Sequence, residues 1–465
     1  MPDDVYISIV DQQGSRESKW SGFFKFDPIH GYSGRLLSST FDFKAGANPF
    51  DTPPELDKEA LYCIVDGSNF ATIIWPDFSG GAQIKNFAAR LHELEIRNLI
   101  RGVHIGATEQ DITAVRLYSP IFAQLFQLDA FESKIETNPY KVTITSLISE
   151  DREFKFSTGK LLVGIHGTYS PMGTAPTVSA RSYVTIQFGQ KVTPTEALRV
   201  IRQAELFFSL ITFSFIKADR VEFEIECRNK EGQIEKNNYD LERALLNDKA
   251  QTDIARHNIP IRIKSLDIGR HFEEFQKLFE PIEQTLNWYR IVTSEERYLD
   301  DKYFYCVRMI EALYRALNIT TEGDKEAISL VDQISKALSQ NEPKYEPLVK
   351  FLNTRVRSTF SRPSLASIIT HVKSAYKEIR VVEILGAKKI NSLRGKHAHG
   401  STDRFSSKDY QFMYYAYEIL LALYPIIVLE NCGFDRDFIY AQLKNSFSYR
   451  RFFEESTLKE YQKNL

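Results

Sequence analysis

Apolar residues are spaced in two different ways along this chain, and the change between them divides it. Up to about residue 230 they fall in short β-branched and aromatic runs, at 20–26, 60–65, 71–75, 96–105, 142–148, 153–156, 161–165 and 182–188, punctuated by Gly, Pro, Asn and Asp. Many short strands at close spacing predict a sandwich or distorted barrel. The Gly- and Pro-containing stretch 167–180 reads as a long loop in this region. Thr193-Pro-Thr-Glu offers a helix start, Ala197, Val200, Ile201, Ala204, Leu206, Phe207 and Leu210 carry the helix on, and 221–227 returns to a strand. Residues 229–258, rich in Asn, Lys, Glu, Asp and Gln, read as a surface connection with one short helix. From about 270 the period is helical, over 271–289, 298–317, 325–338, 345–356, 365–385 and 409–431. A chain of 465 residues also exceeds what one hydrophobic core normally serves. The expected class is α+β: a β-rich, sandwich or barrel-like domain over 1–230, a connecting segment over 231–270, and an all-α bundle over 271–465.

Charge and cysteine usage exclude several functions. Fifty-nine basic against 61 acidic side chains leave a formal charge of -2, so nucleic acid cannot be bound through bulk charge and any such site must be a local patch. Cys63, Cys227, Cys306 and Cys432 form no Cys-x-x-Cys pair, which suits a reducing cytoplasm. The acidic start Met1-Pro-Asp-Asp is unlike a secretory signal. The stretch 412–429 is apolar on nearly every side, but Glu418, Pro425 and four tyrosines interrupt it, so it reads as a helix buried in protein or at a dimer interface rather than a membrane span.

The loop for nucleotide phosphates, the Gly-x-Ser-x-Gly elbow and the His-Glu-x-x-His helix are all absent. The segment 386–408 is the chemically informative one. It holds Lys388, Lys389, Arg394, Lys396, Arg404 and Lys408 against one acid, Asp403, together with His397 and His399. Imidazole transfers protons near neutral pH and guanidinium grips a phosphate through parallel donors, so an arginine beside two histidines has the parts of a ribonuclease that needs no metal. The bland reading is a solvated basic helix end, favoured by the C-terminal dipole. A metal on the His397-x-His399 pair would need further ligands that nothing nearby supplies, and no cofactor is implied.

The spacing Arg394-x4-His399, at the end of one helix and before another capped by Ser406, resembles the HEPN superfamily, whose nucleases carry Arg-x4-6-His inside a small helical bundle. A second match, Arg97 to His104, falls in the strand 96–105 and lacks that helical frame. Tyr305-Cys-Val-Arg-Met-Ile-Glu-Ala-Leu-Tyr-Arg resembles the helix that opens the HEPN domain of the ApeA-like group, and Glu311 within it is expected either to orient Arg394 or to form a helical surface salt bridge elsewhere. Trp20-Ser-Gly-Phe-Phe-Lys-Phe-Asp-Pro and Gly34-Arg-Leu-Leu are similar to the opening strands of that group's β-rich N-terminal domain. One position departs from the pattern: members usually carry Asn, Asp or His after the motif arginine, and Gly395 stands here, with His397 or Lys396 left to supply the polar group.

The resemblance implies an endoribonuclease of bacterial anti-phage defence, halting the host by RNA cleavage. His399 would be the general acid or base, Arg394 would hold the phosphate with His397 assisting, and Lys396, Lys388, Lys389 and Arg404 would bind substrate. It also implies a homodimer through the HEPN domain and a phage-derived trigger at the N-terminal domain. The rival is a catalytically inactive HEPN dimer acting as an RNA-binding or scaffold module, with a ligand-binding β domain.

Overall fold

The computed structural model describes residues 4–10, 18–27, 31–38, 60–66, 69–74, 76–83, 90–105, 111–128, 131–137, 140–146, 152–170, 177–228, 233–243, 259–263, 266–294, 297–319, 325–341, 345–356, 363–398 and 405–465. The chain falls into two compact units, one of residues 1–209 and 214–273, the other of 210–213 and 274–465.

The first unit is antiparallel throughout. In hydrogen-bonding order its sheet runs β12 (Arg152–Phe156), β13 (Gly159–Ser170), β14 (Thr177–Val192), β9 (Ile112–Tyr118), β15 (Arg220–Arg228), β16 (Ile234–Arg243), β8 (Asn98–Arg101), β5 (Asn69–Ile74), β4 (Ala60–Val65), β1 (Asp4–Val10), β2 (Ser18–Asp27), β3 (Gly31–Ser38), β7 (Arg90–Ile96) and β6 (Asp77–Gln83). A separate hairpin joins β10 (Phe131–Thr137) to β11 (Tyr140–Ser146). Only Arg97 separates β7 from β8, yet β7 pairs with β3 while β8 pairs with β5. The run from β8 to β7 therefore returns to the stretch of chain it left, and closes as a barrel. Alternation fills it: Trp20, Phe24, Tyr32 and Leu36 are buried, while Phe23, Lys25, Ser33 and Arg35 between them are exposed. Gly34 is needed where β3 crosses β2, because a Cβ there would lie 2.3 Å from the Phe23 carbonyl oxygen. Tyr32 ties β3 to two strands that are not its sheet neighbours: its hydroxyl donates to Glu242 of β16 at 2.7 Å and accepts from Arg101 of β8 at 2.9 Å.

Two sequence expectations are corrected in this unit. The stretch 167–180 is no long loop, since β13 and β14 stay paired as far as Ser170 and Thr177. Within 229–258, the described part is the strand β16 rather than a connection with a helix. Its residues are mostly exposed, and it is held by β15 and β8 on its two sides and by diagonal ion pairs, Arg220 to Asp240 and Lys236 to Glu224. Hydrophobic patterning does not reveal such a strand. α1 (Pro120–Phe126) packs on β13 and β14, and its Phe122 and Phe126 meet Phe208 of α2 (Pro194–Thr212) at 5.1 and 5.9 Å. Thr193 and Glu196 exchange hydrogen bonds at the start of α2, a capping box where the sequence places one.

The second unit is helical: α3 (Ile268–Ser294), which crosses the unit boundary, α4 (Leu299–Ala316), α5 (Lys325–Asn341), α6 (Glu346–Phe351), α7 (Leu365–Ala375), α8 (Ala387–Ala398), α9 (Ser407–Asn431), α10 (Arg436–Asn445) and α11 (Glu455–Asn464). The expected helix 365–385 ends at Ala375; Tyr376 follows it and donates its hydroxyl to Glu430 of α9. α9 is long and apolar enough to cross a membrane, yet 78% of its most apolar stretch is buried within the chain. Tyr424 accepts or donates a 2.8 Å hydrogen bond with Thr285 and stacks on Tyr289, and Tyr415 stacks on Tyr461 at 3.9 Å. Glu418 is satisfied by Arg451 and by Tyr414 and Tyr461. Most of the apolar surface of 412–429 is thus covered inside one chain.

Candidate functional site

α8 is amphipathic over a short distance: Ile390 and Leu393 turn inward, and this leaves Arg394 and His397 half exposed, one turn apart on the flank. Arg394 donates through Nη1 to Glu311 Oε1 at 2.8 Å. The glutamate belongs to α4 and its side chain is only 10% exposed, whereas that of Arg394 is 38% exposed. Glu311 is its single hydrogen-bond partner among the described residues, which leaves its other donors unengaged by them on a side chain that is partly exposed. His397 is held from the same helix: its ring lies 4.1 Å from that of Phe304 and its Nε2 is 3.8 Å from Asp301. The buried Tyr303 hydroxyl has no partner among the described residues; burial raises its pKa and the Arg394 charge works the other way.

Three of the four lysines of the basic segment have partners among the described residues. Asp409, in the first turn of α9, takes Lys389 on one carboxylate oxygen and Lys396 on the other, the latter at 3.0 Å. It also closes a capping box with Ser406. Burial pushes its carboxyl up, but hydrogen bonds from Lys389, Ser406 and Lys396 outweigh that and hold it well below the usual carboxylate range. Lys408 donates to Leu465 at 3.1 Å. Lys389 and Lys396, both expected to bind substrate, are thus ion-paired with Asp409 while their side chains stay 42% and 36% exposed. Lys388 is exposed. His399 and Arg404 lie outside the described residues.

Sequence reasoning missed Asp301, Phe304 and Asp409. Asp409 falls one residue beyond the segment over which charge was counted, and its place three residues after Ser406 was the available signal. Asp301 and Phe304 sit at helical spacing before Glu311, on the helix already singled out. The competing match dissolves: Arg97 is exposed beside Glu95, while His104 is buried between Tyr62 and Phe70 with Nε2 2.8 Å from the Cys63 carbonyl. Among the described residues no three His, Cys, Asp or Glu side chains gather as a metal site requires.

The helical unit thus sets an arginine and an imidazole on one helix, each beside a carboxylate of another. Residues 305–438, from within α4 to within α10, match the family model described as Apea-like HEPN, so the chain carries an Apea-like HEPN domain behind its β-rich unit. No curated protein and no solved structure matches the chain.

Proposed function

We propose that the protein is a metal-independent endoribonuclease of a bacterial anti-phage, abortive-infection system. The observation that carries this reading is Arg394 fixed by buried Glu311 with its remaining donors open, beside His397. In the proposed reaction the ribose 2′-hydroxyl loses its proton to a base and attacks the adjacent phosphorus. The bond to the 5′-oxygen breaks, that oxygen takes a proton, and a 2′,3′-cyclic phosphate and a 5′-hydroxyl result. His399 is the general acid or base, Arg394 holds the phosphate and its developing charge, and His397 assists. The β-rich unit receives a phage-derived trigger, two copies join through the HEPN domain as its family resemblance implies, and the protein acts in the cytoplasm.

A silent RNA-binding or scaffold module is the second reading, and Gly395 favours it. A Cβ built on Gly395 meets nothing within 4 Å, so the polar residue usual at that position has room and is simply missing. The test is cleavage of a labelled RNA, with and without EDTA, by wild type, Arg394→Ala, His397→Ala, His399→Ala and Gly395→Asn. Loss of a positioned proton-transfer group costs on the order of 10²- to 10⁴-fold in rate. A wild-type protein that binds RNA without cutting it, and cuts only as Gly395→Asn, would establish the silent module.

A further inference from the structure

Asp409 takes Lys389 and Lys396, so part of the charge that an RNA backbone would meet beyond the scissile phosphate is already paired. We infer that Arg308 supplies a further cation, as a second phosphate-binding guanidinium; this rests on the ribonuclease reading of the same site.

Asp301, Phe304, Arg308 and Glu311 are spaced three, four and three residues apart on α4, which puts them within an arc of about 80° on one helix face. Three of the four make contacts with α8: Glu311 with Arg394, Phe304 and Asp301 with His397. The contacts step along the two helices in opposite directions, so Arg308 stands between the level of Arg394 and the level of His397. It is exposed and has no hydrogen bond or ion pair among the described residues. An unpaired arginine on the stripe that holds the site, close to a first arginine already fixed for phosphate, suits the next phosphate along a single strand. Arg394 neutralises Glu311, and Lys389 and Lys396 neutralise Asp409. The carboxylate of Asp301, beside His397, is left on that face, and it disfavours an anion at the His397 end and directs the strand toward Arg308.

The measurement is fluorescence anisotropy of a labelled single-stranded RNA with 2′-O-methyl groups, which cannot be cut, titrated at a series of salt concentrations. Arg308→Ala is expected to weaken binding about tenfold at low salt and to flatten the log-log salt slope by about 0.7, the loss of one phosphate contact. With cleavable RNA its KM rises while kcat stays within about twofold, since the group binds ground state and transition state alike. Arg308→Lys restores the salt slope. Lys336→Ala, the same charge change on exposed α5, leaves the slope alone. A slope unchanged in Arg308→Ala, or lowered as much by Lys336→Ala, overturns the inference while the ribonuclease reading stands. A wild-type protein with no salt-dependent RNA binding overturns both.

Discussion

Replacing Glu311 with Gln tests how the site is held. The carboxylate meets Arg394 at 2.8 Å, and two unit charges about 4 Å apart at an effective dielectric near 20 attract by roughly 4 kcal/mol. Arg394 is 38% exposed, so water screens much of that and the net contribution falls to about 1–2 kcal/mol. Glutamine keeps the shape and one acceptor, and it no longer has to bury a charge. The expected stability loss is therefore about 1 kcal/mol or less, a few degrees in melting temperature. Catalysis should suffer more. An arginine no longer fixed by charge samples other rotamers, and a misplacement of about 1 Å can cost on the order of 10²-fold in rate. Arg394→Ala behaves in the opposite proportion, because it strands Glu311, 10% exposed, without a partner and adds about 1–3 kcal/mol of destabilisation to the loss of activity. The assay is single-turnover cleavage of a labelled RNA by wild type, Glu311→Gln and Arg394→Ala, with thermal melts of each. Wild-type cleavage by Glu311→Gln, at an unchanged melting temperature, would refute the positioning role. A larger melting loss in Glu311→Gln than in Arg394→Ala would contradict the burial asymmetry.

Asp409→Asn should lower stability at pH 7 by about 2 kcal/mol, since it weakens two lysine contacts and a cap. The folded carboxyl is held below its unfolded value, so its stabilisation is full above about pH 4 and fades as pH falls further; the wild type should lose stability over that acid range and the variant should not, as denaturant melts at pH 2–7 will read. His104→Ala should destabilise the β-rich unit by about 1–3 kcal/mol through a lost buried hydrogen bond and ring contacts, without removing any group of the HEPN site. Burial holds the His104 imidazole below its ordinary value against the raising effect of the Cys63 carbonyl, so its stabilisation is present above about pH 6.5 and is lost as pH falls; His104→Ala should remove that part of the pH dependence.

The sequence by itself determined the β-then-α order and the helices that carry the site, because local periodicity and a short motif encode these within single elements. Only the tertiary structure decided the rest. The barrel closes because one bent stretch, β7 and β8, pairs at both ends of a strand run, and register between distant strands leaves no trace in local pattern. β16 is a strand because its neighbours satisfy its backbone, although its side chains are mostly exposed. The helix 407–431 looks the same from its sequence whether its cover comes from a second copy, a lipid or its own unit, and the stacked tyrosines of α3 and α11 supply the last. Net charge over 386–408 could be counted, but which cations remain open to a ligand depends on where Asp409 and Glu311 fold back onto α8, and electrostatic pairing across sequence separations of 13 and 83 residues is set by the fold alone.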